Sequence, residues 1–276
     1  MRHPPTCVLG DDGPPRVSHG HDPDRYVEIG SLTKVLTGTA LTRLAAAGTL
    51  DLADPVERWL PAPPDTGITL RHLAEHTSGL PRLPPGLGGR DPYATFDDAA
   101  LHRVLGRLDT LADSPAGARE EYSNLGYAVL GAALVAATGQ PYEQVVRDHV
   151  THPLGIEEMA VRPPAGRALR AAGLFGRPRG TWTMDGAILP AGGMWATPRA
   201  AAQLVTGLLV DRALGDPAPT WRHAKDVTWH NGATRDASVF AGALPDGRWV
   251  LVHRLGGSPA DTDAEGVRRL TRPAAG

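Results

Sequence analysis

Lysine and asparagine are nearly missing from this 276-residue chain: Lys34 and Lys225 are its only lysines, Asn124 and Asn231 its only asparagines. Cysteine occurs once, at Cys7, which excludes an internal disulfide and any fold that depends on one. No apolar run approaches the roughly 18–20 residues of a membrane-crossing helix. A formal net charge of -2 leaves no cationic excess, so neither nucleic acid nor a membrane surface is expected as a partner. The opening residues, Met1 to Pro5, lack the apolar stretch of a secretory signal. The chain as written is therefore expected in the cytoplasm, and outside the cell if its true start lies upstream.

What is present suffices for a substantial core: 41% of residues are apolar and 21% charged, at a length that fits one large domain or two closely packed halves. Arginine supplies almost all of the 28 basic residues. In such a chain, a position that keeps lysine or asparagine is a candidate for chemistry that arginine, aspartate or glutamine cannot supply.

Residues 6–29 read as two short strands around the turn Asp11-Asp12-Gly13-Pro14. Ser31 to Ala47 carries Leu32, Val35, Leu36, Ala40, Leu41 and Leu44 at helical spacing, with Gly48 as the stop signal. Further helices are expected at Thr69–Glu75, Asp97–Leu111, Asn124–Thr138, from Pro141, and from Thr197-Pro198 to Val210. Residues 162–186 have no periodicity. Thr228–His230, Ala237–Ala243 and Arg248–Arg254 read as strands. Strands at both ends with helices between them imply one sheet built from the first and last segments.

Three short motifs carry chemistry. Ser31-Leu32-Thr33-Lys34 places a serine and a lysine on one helix face, within reach of each other. A lysine in so apolar a helix is desolvated, which lowers its pKa and lets the amine take the serine's proton; arginine could not. The bland alternative is a capping serine and a solvent-facing lysine, but this composition yields only roughly 0.05 chance matches to the pattern. Tyr122-Ser123-Asn124 opens an apolar helix. A phenol near a cation can exchange a proton, and Asn124 can hold a substrate carbonyl or the lysine. His230-Asn231-Gly232-Ala233 reads equally well as a hairpin turn or as an edge strand where Gly232 lets substrate approach the backbone and the next N–H meets its carbonyl oxygen.

The three motifs, in this order, resemble the serine β-lactamases, DD-peptidases and their esterase relatives, on the branch with the class C enzymes. His230-x-Gly232 stands where many members have Lys-Thr-Gly. Leu73 to Leu80, Tyr122 to Tyr127, Pro153 to Ile156 and Ala191 to Trp195 agree, and the resemblance spans about residues 26–255. It implies an α/β fold of the α+β type, an antiparallel sheet flanked by helices with an inserted all-helical subdomain. Residues 1–30 and 190–276 would form the sheet part and 31–189 the helical part, with the site between. It implies Ser31 as nucleophile, Lys34 and Tyr122 managing protons, and the N–H groups of Ser31 and Ala233 as oxyanion hole. Asn124, His230 and Gly232 would bind an ester, amide or peptide substrate, with no cofactor and no metal.

His230 departs from the pattern: a neutral imidazole binds a substrate carboxylate less well than lysine, which favours an esterase, D-amino-acid peptidase or acyltransferase over a true β-lactamase. The short start predicts a truncated sheet edge and a possible homodimer. Two rivals stand beside this reading. His72-Leu73-Ala74-Glu75-His76 matches the helical His-x-x-Glu-His of inverted zinc metallopeptidases, and a non-catalytic binding homologue would keep the fold alone. The pairs His19/His21 and His149/His152 are expected at loop and helix surfaces.

Overall fold

The computed structural model of the chain describes residues 3–173 and 177–272. A six-stranded antiparallel sheet takes its strands from the two ends of the sequence. These are β1 (Thr6–Gly10) and β2 (Gly13–Ser18), then β6 (Arg222–Ala224), β7 (Val227–Ala233), β8 (Ala237–Ala243) and β9 (Trp249–Leu255), in the spatial order β2-β1-β9-β8-β7-β6. Alternation of side chains divides the sheet's two faces. Val8, Phe240, Val250 and Val252 form one cluster with Leu270 of the last helix, α9 (Pro259–Leu270). Cys7, Leu9, Val239, Ala241 and Leu251 join the main core on the other side.

That main core is built around α1 (Thr33–Ala46), ten of whose residues are buried. Around it stand α2 (Leu70–Ala74), α3 (Asp98–Leu105), α4 (Leu108–Leu111), α5 (Asn124–Thr138) and α6 (Tyr142–Val146), followed by α7 (Leu189–Gly192) and α8 (Pro198–Val205). A three-stranded sheet of β3 (Val27–Glu28), β4 (Met159–Ala160) and β5 (Trp195–Ala196) ties the sequence just before Ser31 to the middle and later parts of the chain. Among the described residues no helix is long and apolar enough to cross a membrane.

Several elements differ from expectation for definable reasons. The helix expected from Ser31 starts with a 3₁₀ turn, Gly30–Leu32, before α1. The helix expected over 97–111 breaks at Gly106 into α3 and α4, consistent with glycine's poor helix propensity. Asn231-Gly232 lies inside β7, and the chain reverses after it, where the Thr234 N–H donates to the Ala237 carbonyl at 2.9 Å. Neither β6 nor α9 was anticipated. His21, expected at a loop surface, is buried against His253.

Candidate active site

Ser31 sits in the 3₁₀ turn and Lys34 is the second residue of α1, so the three-residue spacing brings their side chains together. The turn fits because two glycines let two backbones touch. Gly30 has φ +48°, and a Cβ there would stand 2.8 Å from the Ala233 nitrogen. A Cβ on Gly232 would stand 2.2 Å from the Ile29 carbonyl oxygen and 2.9 Å from the Ser31 nitrogen. The end of β7 therefore runs directly along the Ser31 turn, which brings the segments carrying Ser31 and Ala233 side by side.

Lys34 is fully buried. Its Nζ donates to Ser31 Oγ at 3.3 Å, to Asn124 Oδ1 at 2.8 Å and to the Ala191 carbonyl at 2.6 Å. Three acceptors match the three N–H bonds of an ammonium group. Burial draws its pKa below the ordinary lysine value, with Tyr122 opposing the shift. Asn124 is fixed in turn by donating to the Tyr93 hydroxyl at 3.2 Å.

Tyr122 precedes the helix cap: the Ser123 hydroxyl accepts the Gly126 N–H at 2.8 Å and so starts α5. The phenol donates to Ser31 Oγ at 2.6 Å. Burial works to raise its pKa, but the Lys34 cation, hydrogen bonding to Lys34 and Ser31, and the Arg82 guanidinium outweigh it, so the phenol lies below its ordinary value. Lys34 Nζ is 4.7 Å from the Tyr122 ring centroid, and the Arg82 guanidinium carbon is 5.3 Å from it.

These groups open onto a cavity of about 530 Å³ whose walls include Ser31, Tyr122, Asn124, Gly232 and Ala233. His230 is not on that wall. It is 2% exposed, its Nδ1–H donates to the Asn231 carbonyl at 2.7 Å, and burial, aided by the Lys34 charge, pushes its pKa down to about 3. The expectation that its imidazole binds substrate is therefore corrected: it is a neutral group beneath the floor. Two arginines not singled out from the sequence, Arg82 and Arg222, line the same cavity. Arg222 projects from β6 and pairs with Glu120 at 2.9 Å. Sequence reasoning also missed Tyr93 and Trp182 on the wall. Only Arg82 had a signal, its place just after the His76–Pro81 loop, and among so many arginines it did not stand out.

The metallopeptidase geometry does not form. Helix α2 ends at Ala74, and His76 has φ +59°, so His72 and His76 are not one turn apart on a helix. His72 Nδ1 accepts the Thr69 N–H at 3.2 Å and His76 Nδ1 accepts the Ser123 N–H at 3.1 Å. Glu75 pairs with Arg71 at 3.3 Å. The His76 ring packs 4.5 Å from the Tyr122 ring, centroid to centroid. Among the described residues no group of three His, Cys, Asp or Glu is placed to hold a metal ion.

The chain is similar to known proteins. The chain is 34% identical over 185 residues to D-alanyl-D-alanine-carboxypeptidase/endopeptidase AmpH of Escherichia coli K12, covering 63% of this chain and 46% of that protein. It is 36% identical over 151 residues to esterase EstB of Burkholderia gladioli, covering 49% of this chain and 38% of that one. It thus spans less than half the length of these curated relatives. The fold matches the crystal structure of a beta-lactamase/D-alanine carboxypeptidase from Yersinia pestis, with TM-score 0.78 at 23% identity over 96% of this chain and 91% of that one. The beta-lactamase family model matches residues 10–267, and the chain belongs to the beta-lactamase family.

Proposed function

We propose that this protein is a serine hydrolase that works through an acyl-enzyme on Ser31, and that its substrates are amides or esters carrying a free carboxylate. The observation that carries the first part is the convergence of the Tyr122 hydroxyl at 2.6 Å and the Lys34 ammonium at 3.3 Å on one serine oxygen. With Lys34 saturated as an ammonium, the phenolate of Tyr122 takes the Ser31 proton as Oγ attacks the substrate carbonyl. The tetrahedral oxyanion lies against the Ser31 and Ala233 N–H groups, where a single donor is worth roughly 3 kcal/mol. Collapse breaks the bond to the leaving group, which takes the proton back from Tyr122. Water then repeats the sequence on the ester of Ser31 and frees the acid.

The second part rests on Arg82 and Arg222, which place positive charge on the cavity wall. A guanidinium meets a carboxylate with two parallel hydrogen bonds. The names of the relatives, a D-alanyl-D-alanine carboxypeptidase and an esterase, fit the same chemistry.

The test is covalent labelling with a fluorophosphonate, followed by turnover of p-nitrophenyl esters, nitrocefin and D-alanyl-D-alanine peptides. Labelling is expected in the wild type and not in Ser31→Ala. Faster turnover of peptides with a free C-terminal carboxylate than of their amides is expected. Labelling that persists in Ser31→Ala overturns the nucleophile assignment; indifference to the carboxylate overturns the substrate class.

A further inference from the structure

Glu28 lies three residues before the nucleophile, on β3, and the mechanism above does not use it. Its carboxylate Oε2 accepts the Thr234 hydroxyl at 3.2 Å. Thr234 follows Ala233 directly and lines the active-site cavity. From the other side, the His253 Nε2–H donates to the Glu28 backbone carbonyl at 3.0 Å. Glu28 itself borders a separate cavity of about 340 Å³, which shares Trp182 and Met184 with the active-site cavity. The Glu28–Thr234 bond thus closes a short ring. Its members are Glu28 to Ser31 on one side and Gly232 to Thr234 on the other, the two stretches already in backbone contact at Gly30 and Gly232.

We propose that Glu28 is a positioning residue for acyl transfer, tying the end of β7 to the nucleophile's turn so that the Ala233 and Ser31 N–H groups keep the spacing that grips an oxyanion. The proposal rests on the serine-hydrolase reading and deepens it. An oxyanion hole stabilises the transition state only while its donors are preorganised, and displacement of a catalytic group by about 1 Å can cost on the order of 10²-fold in rate. A tie between the two donor-bearing segments acts on kcat, because the oxyanion exists only after attack.

The tie changes strength near neutral pH. Burial raises the Glu28 carboxyl to about 7, against the Thr234 hydrogen bond and the Arg170 guanidinium, with Asp236 adding to the rise. Asp236 is itself paired to Arg179 at 2.6 Å, and across the neighbouring cavity Arg162 pairs with Asp185 at 2.6 Å. His253 is pushed down to about 3 by burial and its partner His21 to about 4, so both stay neutral over this range. The ionised carboxylate accepts a stronger, charge-assisted bond than the acid does. The tie therefore tightens as pH rises through about 7.

Steady-state kinetics on p-nitrophenyl butyrate from pH 5.5 to 9 test this in Glu28→Gln, Glu28→Ala, Thr234→Val and Glu28→Ala/Thr234→Val. In the wild type kcat is expected to step upward near neutral pH. Glu28→Gln, whose carbonyl accepts without titrating, is expected to keep roughly wild-type kcat near pH 7 and to lack that step. Glu28→Ala and Thr234→Val are each expected to lose roughly tenfold in kcat, with KM within twofold and no further loss in the double variant, as groups acting through one bond behave. A step that survives in Glu28→Gln, or losses that multiply in the double variant, overturns the proposal while the serine mechanism stands. A wild type that neither turns over the ester nor takes the fluorophosphonate at Ser31 overturns both.

Discussion

The Tyr122 hydroxyl is closer to Ser31 Oγ, at 2.6 Å, than the Lys34 ammonium is, at 3.3 Å. On the mechanism proposed above, this ordering gives the proton exchange to the phenol and leaves Lys34 as the fixed charge beside it. Tyr122→Phe should therefore lower kcat by roughly 10²–10⁴-fold, the usual contribution of a positioned acid–base group, with a small change in KM. Lys34→Arg should be as inactive. A planar guanidinium cannot direct three N–H bonds at Ser31, Asn124 and the Ala191 carbonyl from a fully buried slot. Hydrolysis of a p-nitrophenyl ester by the two purified variants measures both.

The same electrostatics set the pH profile. In the proposed mechanism the active form has lost the Tyr122 proton, so kcat/KM should rise with pH through the phenol's pKa. Lys34 and Arg82 hold that pKa below the ordinary tyrosine value. Removing the Arg82 charge lets it climb. Arg82→Gln is expected to displace the acid limb of kcat/KM to higher pH, and a limb that stays in place would falsify the role of Arg82.

Much of this site was legible because the composition made it so. With two lysines and two asparagines in the chain, Lys34 and Asn124 stood out, and both converge on Ser31 or on each other. Helix α5 was readable to the residue, because Ser123 caps its start and Gly139, at φ +67°, ends it. The burial of His230 was not readable. It shares a face of β7 with Gly232, two residues on, and only tertiary neighbours such as Trp221, whose ring lies 6.5 Å away, decide that it is covered. Arg222 was invisible for a related reason: nothing in a stretch as polar as Trp221 to Asp226 marks a strand, and β6 exists because it pairs with β7.

Arg222 makes the substrate reading testable. Arg222→Gln should raise KM for peptides with a free C-terminal carboxylate by roughly tenfold, about the 1.4 kcal/mol of one charge-assisted contact. KM for neutral p-nitrophenyl esters should stay within twofold. Equal effects on the two substrates would show that Arg222 acts on the strand and not on charge.

Gly232 sets a steric test of the strand's close approach. Gly232→Ala places a methyl carbon 2.2 Å from the Ile29 carbonyl oxygen, a separation that backbone must yield to. The two segments have to part by about 1 Å, which loosens the oxyanion hole and should cost on the order of 10²-fold in kcat. Circular dichroism should remain that of the folded protein, since the rest of β7 keeps its pairing with β8. Full activity in this variant would mean that Ala233 does not supply an oxyanion donor.

Acid stability follows from the buried histidines. The Asp22 N–H donates to His21 Nδ1 at 2.8 Å, so His21 carries its proton on Nε2 and donates it to His253 Nδ1 at 2.9 Å. His253 then carries its own proton on Nε2, which goes to the Glu28 carbonyl at 3.0 Å. Every ring nitrogen is used in the doubly neutral state, and a further proton on either ring breaks the chain. Burial lowers His21 from 6.5 to about 4 and His253 to about 3, so the unfolded chain binds protons that the folded one refuses. The stability is complete above pH 6.5 and drains as pH falls through about 4. Replacing His21 by glutamine keeps a donor for His253 but removes one titration. Between pH 7 and 4, urea unfolding of His21→Gln should lose about 3 kcal/mol less than the wild type does. His230 and His76 are also buried neutral and contribute in both proteins, so the difference between the two curves reports His21 together with its contact partner His253. Parallel curves would mean that His21 titrates in the folded protein as it does in the unfolded chain.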